Sequence, residues 1–180
     1  CGAIGSALAE LLVRGGLRQL TLIDGDRLEF GNLCRHTLSS ISVGSYKAKA
    51  LASQLSMECP LAEIKELSGS VNGTEDFAWN QYDLIIDCTA NEKLMFPLSV
   101  AIHKSHVRCI KLFIDGRANY LTVASSGRYT RCDAVLGRLY EKLGEMSDAP
   151  HWQSDISGYF DSATSVSVMA PGCWHPTYPG

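Results

Sequence analysis

Hydrophobic residues along this 180-residue chain change their spacing repeatedly, from the period of about 3.6 residues of an amphipathic helix to the compact apolar runs of buried strands. Ile4, Leu8, Leu11 and Leu12 share one face of a predicted helix, and the apolar run YDLIID is typical of a buried parallel strand. In chain order, the predicted elements are helix 3–14, strand 17–23, a helix from 43, strand 62–67, strand 82–87, helix 91–105 and strand 107–114. This alternation predicts an α/β protein with a doubly wound, mostly parallel, Rossmann-like sheet.

The pattern changes after residue 115. Two short strands, 120–123 and 127–131, are predicted to form an antiparallel pair, and a helix is predicted over 133–143. Residues 145–180 are rich in Ser, Gly and Pro, which is typical of loops. We therefore expect residues 1–115 to form the main sheet region. Residues 116–180 would add an antiparallel extension and a crossover-type loop region to the same domain.

Glycines mark the beginning of the first helix. The run CGAIG has the pattern of the middle of a G-x-G-x-x-G turn, so the first glycine and the first strand are expected upstream of a chain that is part of a longer one. Gly2 and Gly5 let the backbone approach a phosphate at the helix N-terminus. Asp24 follows about twenty residues later, where this class of fold places a ribose-binding acid. The alternative is an ordinary helix cap without a ligand.

Charged and amide side chains are concentrated after this acid. Asp26, Asn32, Arg35 and Lys47 occupy a mostly loop-like segment before the next helix. Asn32, Arg35 and Lys47 exceed what a dinucleotide needs, and donors in that number suit a triphosphate. Lys47 lies in the first turn of that helix, where the dipole disfavours a cation, so an anion is expected between them. The alternative is a solvated lysine that points away.

Composition narrows the class of protein. A formal net charge of −3 argues against a nucleic-acid-binding surface. No uninterrupted apolar run approaches the ~20 residues of a membrane-spanning helix. The seven cysteines are odd in number and form no C-x-x-C pair, which favours reduced thiols over a disulfide framework or a zinc site. We therefore expect a cytoplasmic protein that binds neither nucleic acid nor membrane.

Four segments together carry a resemblance to the adenylating domain of the ThiF/MoeB and ubiquitin-activating-enzyme superfamily. In order along the chain, they are GAIGSALAELLVRGG, LIDGDRLEFGNLCRH, VGSYKAKALA and YDLIIDCTAN. The resemblance implies an enzyme that binds ATP and Mg²⁺ and adenylates the C-terminal glycine of a ubiquitin-like or sulfur-carrier protein. Many such enzymes then capture that protein as a thioester on a cysteine. The resemblance covers residues 1–115, which would be the adenylation domain.

The resemblance also implies roles for the first matching residues. Gly2 and Gly5 would line the phosphate turn. Asp24 would hold the ribose, and Asp26 would support the loop beside it.

Further matching residues would act on the phosphates. Asn32 and Arg35 would contact them, and Lys47 would stabilise the charge that develops as pyrophosphate leaves. Attack of a carboxylate on phosphorus brings negative charge together, so fixed cations and donors lower its barrier.

Ala90 departs from the family pattern. The family usually has D-C-T-D-N after this strand, and its second aspartate helps to hold magnesium, whereas alanine cannot ligate a hard cation. Asp87, counted among the nucleotide-binding residues, or Asn91 would partly compensate. Three explanations stay open: another ligand arrangement, a non-catalytic partner subunit, or an engineered substitution. We assign no metal ligand and predict no structural zinc, because the family's paired C-x-x-C elements are missing.

Two function classes follow. The first is an active adenylating enzyme, and the lack of zinc cysteines resembles bacterial members of ubiquitination-like and antiphage operons more than MoeB. The second is a non-catalytic nucleotide-fold subunit that supports an active partner. An NAD-dependent oxidoreductase is a weaker alternative that leaves the phosphate donors unexplained. The expected partners are a ubiquitin-like protein, a conjugating-enzyme-like protein, and a second subunit in a homodimer or pseudo-dimer.

The thioester cysteine is predicted to be Cys173, in PGCWHPTYPG. A mobile loop suits a thiol that must reach an adenylate, and His175 is close enough in sequence to favour a thiolate. The alternative is a loop cysteine packed under Trp174. Cys132, beside Arg131, is the second choice.

Overall fold

The computed structural model describes residues 1–69, 77–114 and 121–145. The described residues fall into two compact units, residues 1–69 and residues 77–114 with 121–145. In chain order, the helices and strands are α1 (Ala3–Arg14), β1 (Gln19–Ile23), α2 (Lys47–Glu58), β2 (Glu63–Leu67), β3 (Leu84–Asp87), α3 (Glu92–Lys104), β4 (Arg108–Ile114), β5 (Leu121–Ser126) and α4 (Cys132–Glu145). Short 3-10 helices cover Phe30–Arg35, Ser40–Ser42 and Trp79–Gln81.

The first unit packs α1 and α2 against a parallel pair of strands. β1 pairs with β2 in a register that runs from Gln19↔Glu63 to Ile23↔Leu67. The core of this unit contains Leu51 and Leu55 of α2, together with Leu28 and Leu38 from the long connection between β1 and α2. The connection is therefore anchored at two points, and the polar residues between them are held in place.

The second unit is a three-stranded sheet in the order β3-β4-β5. β3 and β4 are parallel, and β4 and β5 are antiparallel, from Cys109↔Ser126 to Ile114↔Leu121. Alternate residues of β4 are buried, as expected of a strand covered on one face. Helices α3 and α4 contact the sheet and each other.

The predicted fold class is confirmed, since helices alternate with parallel strands and an antiparallel strand follows. The predicted strand over 127–131 is wrong, because none of these residues lies in a strand and residues 128–130 form a turn and a bend. Ser125 and Ser126 lie inside β5, which pairs with β4 instead. The Ser126 hydroxyl lies 3.2 Å from both the nitrogen and the oxygen of Cys109, so it reinforces that pairing. The roles predicted for residues 1–115 and 116–180 stay predictions.

Helix α2 begins later than its predicted start at residue 43. Gly44 has φ +85°, a left-handed conformation that suits glycine and is incompatible with a right-handed helix. All of residues 146–180, with Cys173, lie outside the described residues. Among the residues that the structure describes, no helix has the length and apolar character needed to cross a bilayer.

Candidate nucleotide site

The glycine turn opens helix α1. Gly2 is the N-cap residue in an extended conformation, and its carbonyl accepts a hydrogen bond from the Ser6 nitrogen at 2.8 Å. Gly5 lies in the first turn, where the backbone N–H groups have no acceptor within the helix. This is the arrangement in which a helix N-terminus binds a phosphate.

Asp24 joins the glycine turn to the loop after β1. Its Oδ2 lies 2.7 Å from the Cys1 nitrogen, and its Oδ1 accepts a hydrogen bond from the Asp26 nitrogen at 2.8 Å. The carboxylate is therefore held in one position beside the turn. Its predicted contact with a ribose stays a prediction.

Lys47 forms an ion pair of unequal exposure with Asp26. Lys47 Nζ lies 3.0 Å from Asp26 Oδ2, and the two side chains are 6% and 75% exposed. The backbone nitrogen of Lys47 also donates a hydrogen bond to the backbone oxygen of Asp26, and Arg27 forms an antiparallel β-bridge with Tyr46. These backbone contacts hold the loop after β1 along the start of α2. The alternative of a solvated Lys47 is therefore wrong.

The buried Lys47 ammonium lies at the first residue of a helix. Both the ammonium and the helix dipole are positive there, and Asp26 compensates only partly because its carboxylate is largely hydrated. An anion bound at this place would lower the energy of both. Contact of Lys47 with a phosphate nevertheless stays a prediction.

Asn32 and Arg35 belong to the 3-10 helix Phe30–Arg35. Asn32 is buried, and its Oδ1 accepts a hydrogen bond from the Glu29 nitrogen at 3.1 Å, as part of a capping box. Arg35 is half-buried at the end of this turn, and its Nε and Nη2 atoms are enclosed. Asn32 thus holds the turn that carries Arg35, and contact of either residue with a phosphate stays a prediction.

His36 is a residue of this site that sequence analysis missed. Its Nε2 lies 2.7 Å from the Cys1 oxygen, and its Nδ1 accepts a hydrogen bond from the Leu38 nitrogen at 3.1 Å. The ring is therefore neutral with its proton on Nε2. Burial, and after it the nearby Lys47 ammonium, lowers the pKa of His36 from 6.5 to about 4. The position of His36 directly after Arg35 was the available signal, but Cys1, its hydrogen-bond partner, is distant in sequence.

Asp87 lies in the second unit, and its carboxylate is fully engaged there. Lys111 lies directly opposite on β4, with its Nζ 2.6 Å from Asp87 Oδ2, and both side chains are buried. Asp87 Oδ1 accepts hydrogen bonds from the nitrogen and the hydroxyl of Thr89. Sequence analysis missed Lys111, although a lysine at a buried position of an alternating strand was a signal.

The segment after Asp87 does not fit a magnesium site. Ala90 offers no side-chain oxygen, and the Asp87 oxygens already have Lys111 and Thr89 as partners. Within residues 1–69, 77–114 and 121–145, no three His, Cys, Asp or Glu side chains form a metal-binding group. Ala90 has φ +49°, which is uncommon for a residue other than glycine.

The cysteines of the described part differ in exposure. Cys132 is buried at the start of α4, with its Sγ 3.6 Å from the Ala124 oxygen. A hydrogen bond between the Cys109 and Cys132 thiols raises the pKa of Cys109 and lowers that of Cys132. None of the six described cysteines forms a disulfide. Burial makes Cys132 a poor thioester candidate, since a protein substrate would not reach it.

A glycine turn at a helix start and an acid after the next strand are features of nucleotide-binding α/β folds. The family model described as "ThiF family" matches residues 1–149. The chain belongs to the ThiF family, as its sequence predicted.

Relatives and solved structures agree with this assignment. An ATP-dependent ubiquitin transferase-like protein Cap2 from Enterobacter hormaechei is 30% identical over 99% of this chain and 28% of its own length. Molybdopterin-synthase adenylyltransferase from Escherichia coli is 27% identical over 77% of this chain and 57% of its own length. The crystal structure of E. coli MccB with ATP shares the fold, with a TM-score of 0.56 and 20% identity over 63% of this chain and 35% of MccB. The chain spans 18% to 33% of the three Cap2 relatives that it matches.

Proposed function

We propose that this chain binds ATP and adenylates the C-terminus of a ubiquitin-like or sulfur-carrier protein. The observation that carries the proposal is the buried Lys47 at the start of α2, paired with an Asp26 that remains open to solvent. Such a cation is suited to a polyphosphate. The relatives named above include an adenylyltransferase and a ubiquitin transferase-like protein, which supports the same chemistry.

In the proposed reaction, a carboxylate oxygen of the partner protein attacks the α-phosphorus of ATP. A new bond forms between that oxygen and phosphorus, the bond from the α-phosphorus to the bridging oxygen breaks, and pyrophosphate leaves. Gly2 and Gly5 would let the phosphates approach α1, and Asp24 would orient the ribose. Asn32, Arg35 and Lys47 would stabilise the charge on the phosphates.

The residues around Ala90 offer few oxygen ligands for the magnesium that the resemblance implies. One further step belongs to the same proposal. The thiolate of Cys173 would then attack the carbonyl carbon of the adenylate and release AMP, leaving a thioester. Cys173→Ala should abolish a thiol-sensitive adduct with the partner protein and spare adenylation.

The proposal is tested by ATP–pyrophosphate exchange in the presence of a candidate ubiquitin-like protein. Lys47→Ala should lower exchange by at least ~100-fold, because transition-state charge loses a fixed cation. Lys49→Ala is the matched control, since Lys49 is an exposed lysine of the same helix. Equal exchange rates in both variants would show that Lys47 does not face the phosphates.

A non-catalytic subunit is the second candidate, and Ala90 is the observation that favours it. A natural ligand arrangement predicts that Ala90→Asp leaves activity similar, whereas decay or engineering predicts that it restores magnesium-dependent adenylation. A chain without activity that stays inactive after Ala90→Asp, with its partner present, would favour the subunit role. The NAD-dependent alternative gains no support, because Lys47 and Arg35 would have no function in it.

Assembly and location are proposed on the resemblance. We propose a homodimer or a pseudo-dimer with a related subunit, a conjugating-enzyme-like protein as a further partner, and a cytoplasmic location. Light scattering of the chain at micromolar concentration, alone and with the candidate partner, checks the assembly. A monomer under both conditions would contradict it.

A further inference from the structure

The His36 ring connects two segments that lie far apart in the sequence. Its Nε2 donates to the oxygen of Cys1, 35 residues away, at 2.7 Å. Cys1 directly precedes Gly2, the N-cap residue of α1. The ring therefore holds the peptide that leads into the glycine turn.

The other side of the ring is held equally well. The Leu38 nitrogen donates to Nδ1 at 3.1 Å, and the Leu38 side chain is buried in the core of the first unit. His36 is also the C-cap residue of the 3-10 helix that ends at Arg35. The ring thus joins the glycine turn to the turn that carries Arg35, and both are backed by the core.

We propose that His36 is a positioning residue for ATP. Its ring sets the distance between the glycine turn and Arg35. The inference rests on the proposed function, since it concerns the same phosphates. A neutral ring suits this role, because it donates at one nitrogen and accepts at the other. A protonated ring would lose the acceptor and add a charge beside Lys47.

Two conservative variants separate the two hydrogen bonds of the ring. The Nε2 of glutamine can replace the histidine Nε2 as a donor to Cys1 but has no acceptor for Leu38. The Oδ1 of asparagine can replace Nδ1 as an acceptor from Leu38 but does not reach Cys1. His36→Gln therefore keeps the link to the glycine turn, and His36→Asn breaks it.

The experiment measures ATP binding by calorimetry and the thermal midpoint without nucleotide, on the full chain. We expect His36→Gln to bind ATP within about threefold of the unmodified chain, and His36→Asn to bind about tenfold more weakly, as loss of one well-placed hydrogen bond predicts. The two variants should have similar thermal midpoints although their affinities differ, because each variant loses one hydrogen bond.

Other outcomes overturn the inference. Equal ATP affinity in both variants and the unmodified chain, with lowered thermal midpoints, would show a purely structural histidine. Failure of both variants to fold would also show that the role of His36 is purely structural. An unmodified chain that binds no ATP would overturn the proposed function and this inference together, whereas a failure confined to the variants leaves the proposed function standing.

Discussion

The two units each contain a lysine–aspartate pair, and the pairs differ in exposure. In the first unit, Lys47 is 6% exposed while Asp26 is 75% exposed. In the second unit, Lys111 and Asp87 are 6% and 4% exposed, and Asp87 has two further hydrogen bonds from Thr89. In the first pair the acid remains hydrated while the lysine is buried, and contact of this lysine with a phosphate stays a proposal. The second is closed, and its groups already satisfy each other.

The comparison shows that the same two residue types serve different purposes in the two units. A closed buried pair joins two strands, and removal of one partner leaves a charge without compensation. An open pair leaves its carboxylate hydrated, so the aspartate depends less on the lysine for its stability. We expect the free energy of unfolding to distinguish the two pairs, with the largest change at the closed pair.

Lys111→Met should lower the free energy of unfolding by about 3–5 kcal/mol, because it leaves Asp87 buried without a cation. The measurement is urea unfolding followed by circular dichroism. Lys104→Met is the matched control, since Lys104 is exposed on α3. Adding Asp87→Asn to Lys111→Met should recover part of the loss, because no charge then stays buried. No loss in the single variant would contradict a closed pair.

Acid should destabilise the first unit through His36. The pKa of this group is about 4 in the folded chain and 6.5 in the unfolded chain, so the unfolded chain takes up a proton first as the pH falls. The contribution of neutral His36 to the free energy of unfolding is therefore fully present above pH 6.5. It is lost as the pH falls from 6.5 to 4, and the loss is roughly 1–3 kcal/mol because the ring is partly exposed. Urea unfolding at a series of pH values measures it.

His36→Gln is the control for the acid prediction, because glutamine does not titrate. The variant should lose this component of the pH dependence and keep the components from carboxylates. If the two profiles coincide between pH 4 and 6.5, the ring is protonated equally in both states.

Ala90→Gly should raise the free energy of unfolding by up to about 1 kcal/mol. The left-handed conformation at φ +49° strains a residue with a Cβ, and relief of that strain exceeds the extra entropy of glycine in the unfolded chain. Thermal unfolding measures the gain. Ala101→Gly, inside α3, should instead destabilise by about 1 kcal/mol. A loss at both positions would argue against strain at Ala90.

Lys47→Met should change the free energy of unfolding by less than ~1 kcal/mol without nucleotide. Asp26 stays hydrated when its partner is removed, and the desolvation of a buried ammonium disappears. The same variant should bind ATP at least tenfold more weakly, as calorimetry would detect. A stability loss as large as that of Lys111→Met would mean that both pairs are structural.

Local patterns sufficed for most of the secondary structure. The spacing of Ile4, Leu8, Leu11 and Leu12 predicted helix α1, which the structure places at Ala3–Arg14. The pattern failed at residues 127–131, where polar residues after Ser126 resembled a second hairpin strand. In the structure β5 pairs with β4 instead of with residues 127–131. The local sequence does not show which of these two partners a strand will choose.

The sequence by itself determined the class of fold and supplied the polar residues that are predicted to surround a nucleotide, because periodicity, glycine spacing and residue type are local properties. Only the tertiary structure decided which lysine is buried and which acid is open. It also decided that His36 contacts Cys1 and that Lys111 faces Asp87. These pairings join residues 35 and 24 positions apart, so they depend on how strands and loops meet in space rather than on neighbours along the chain.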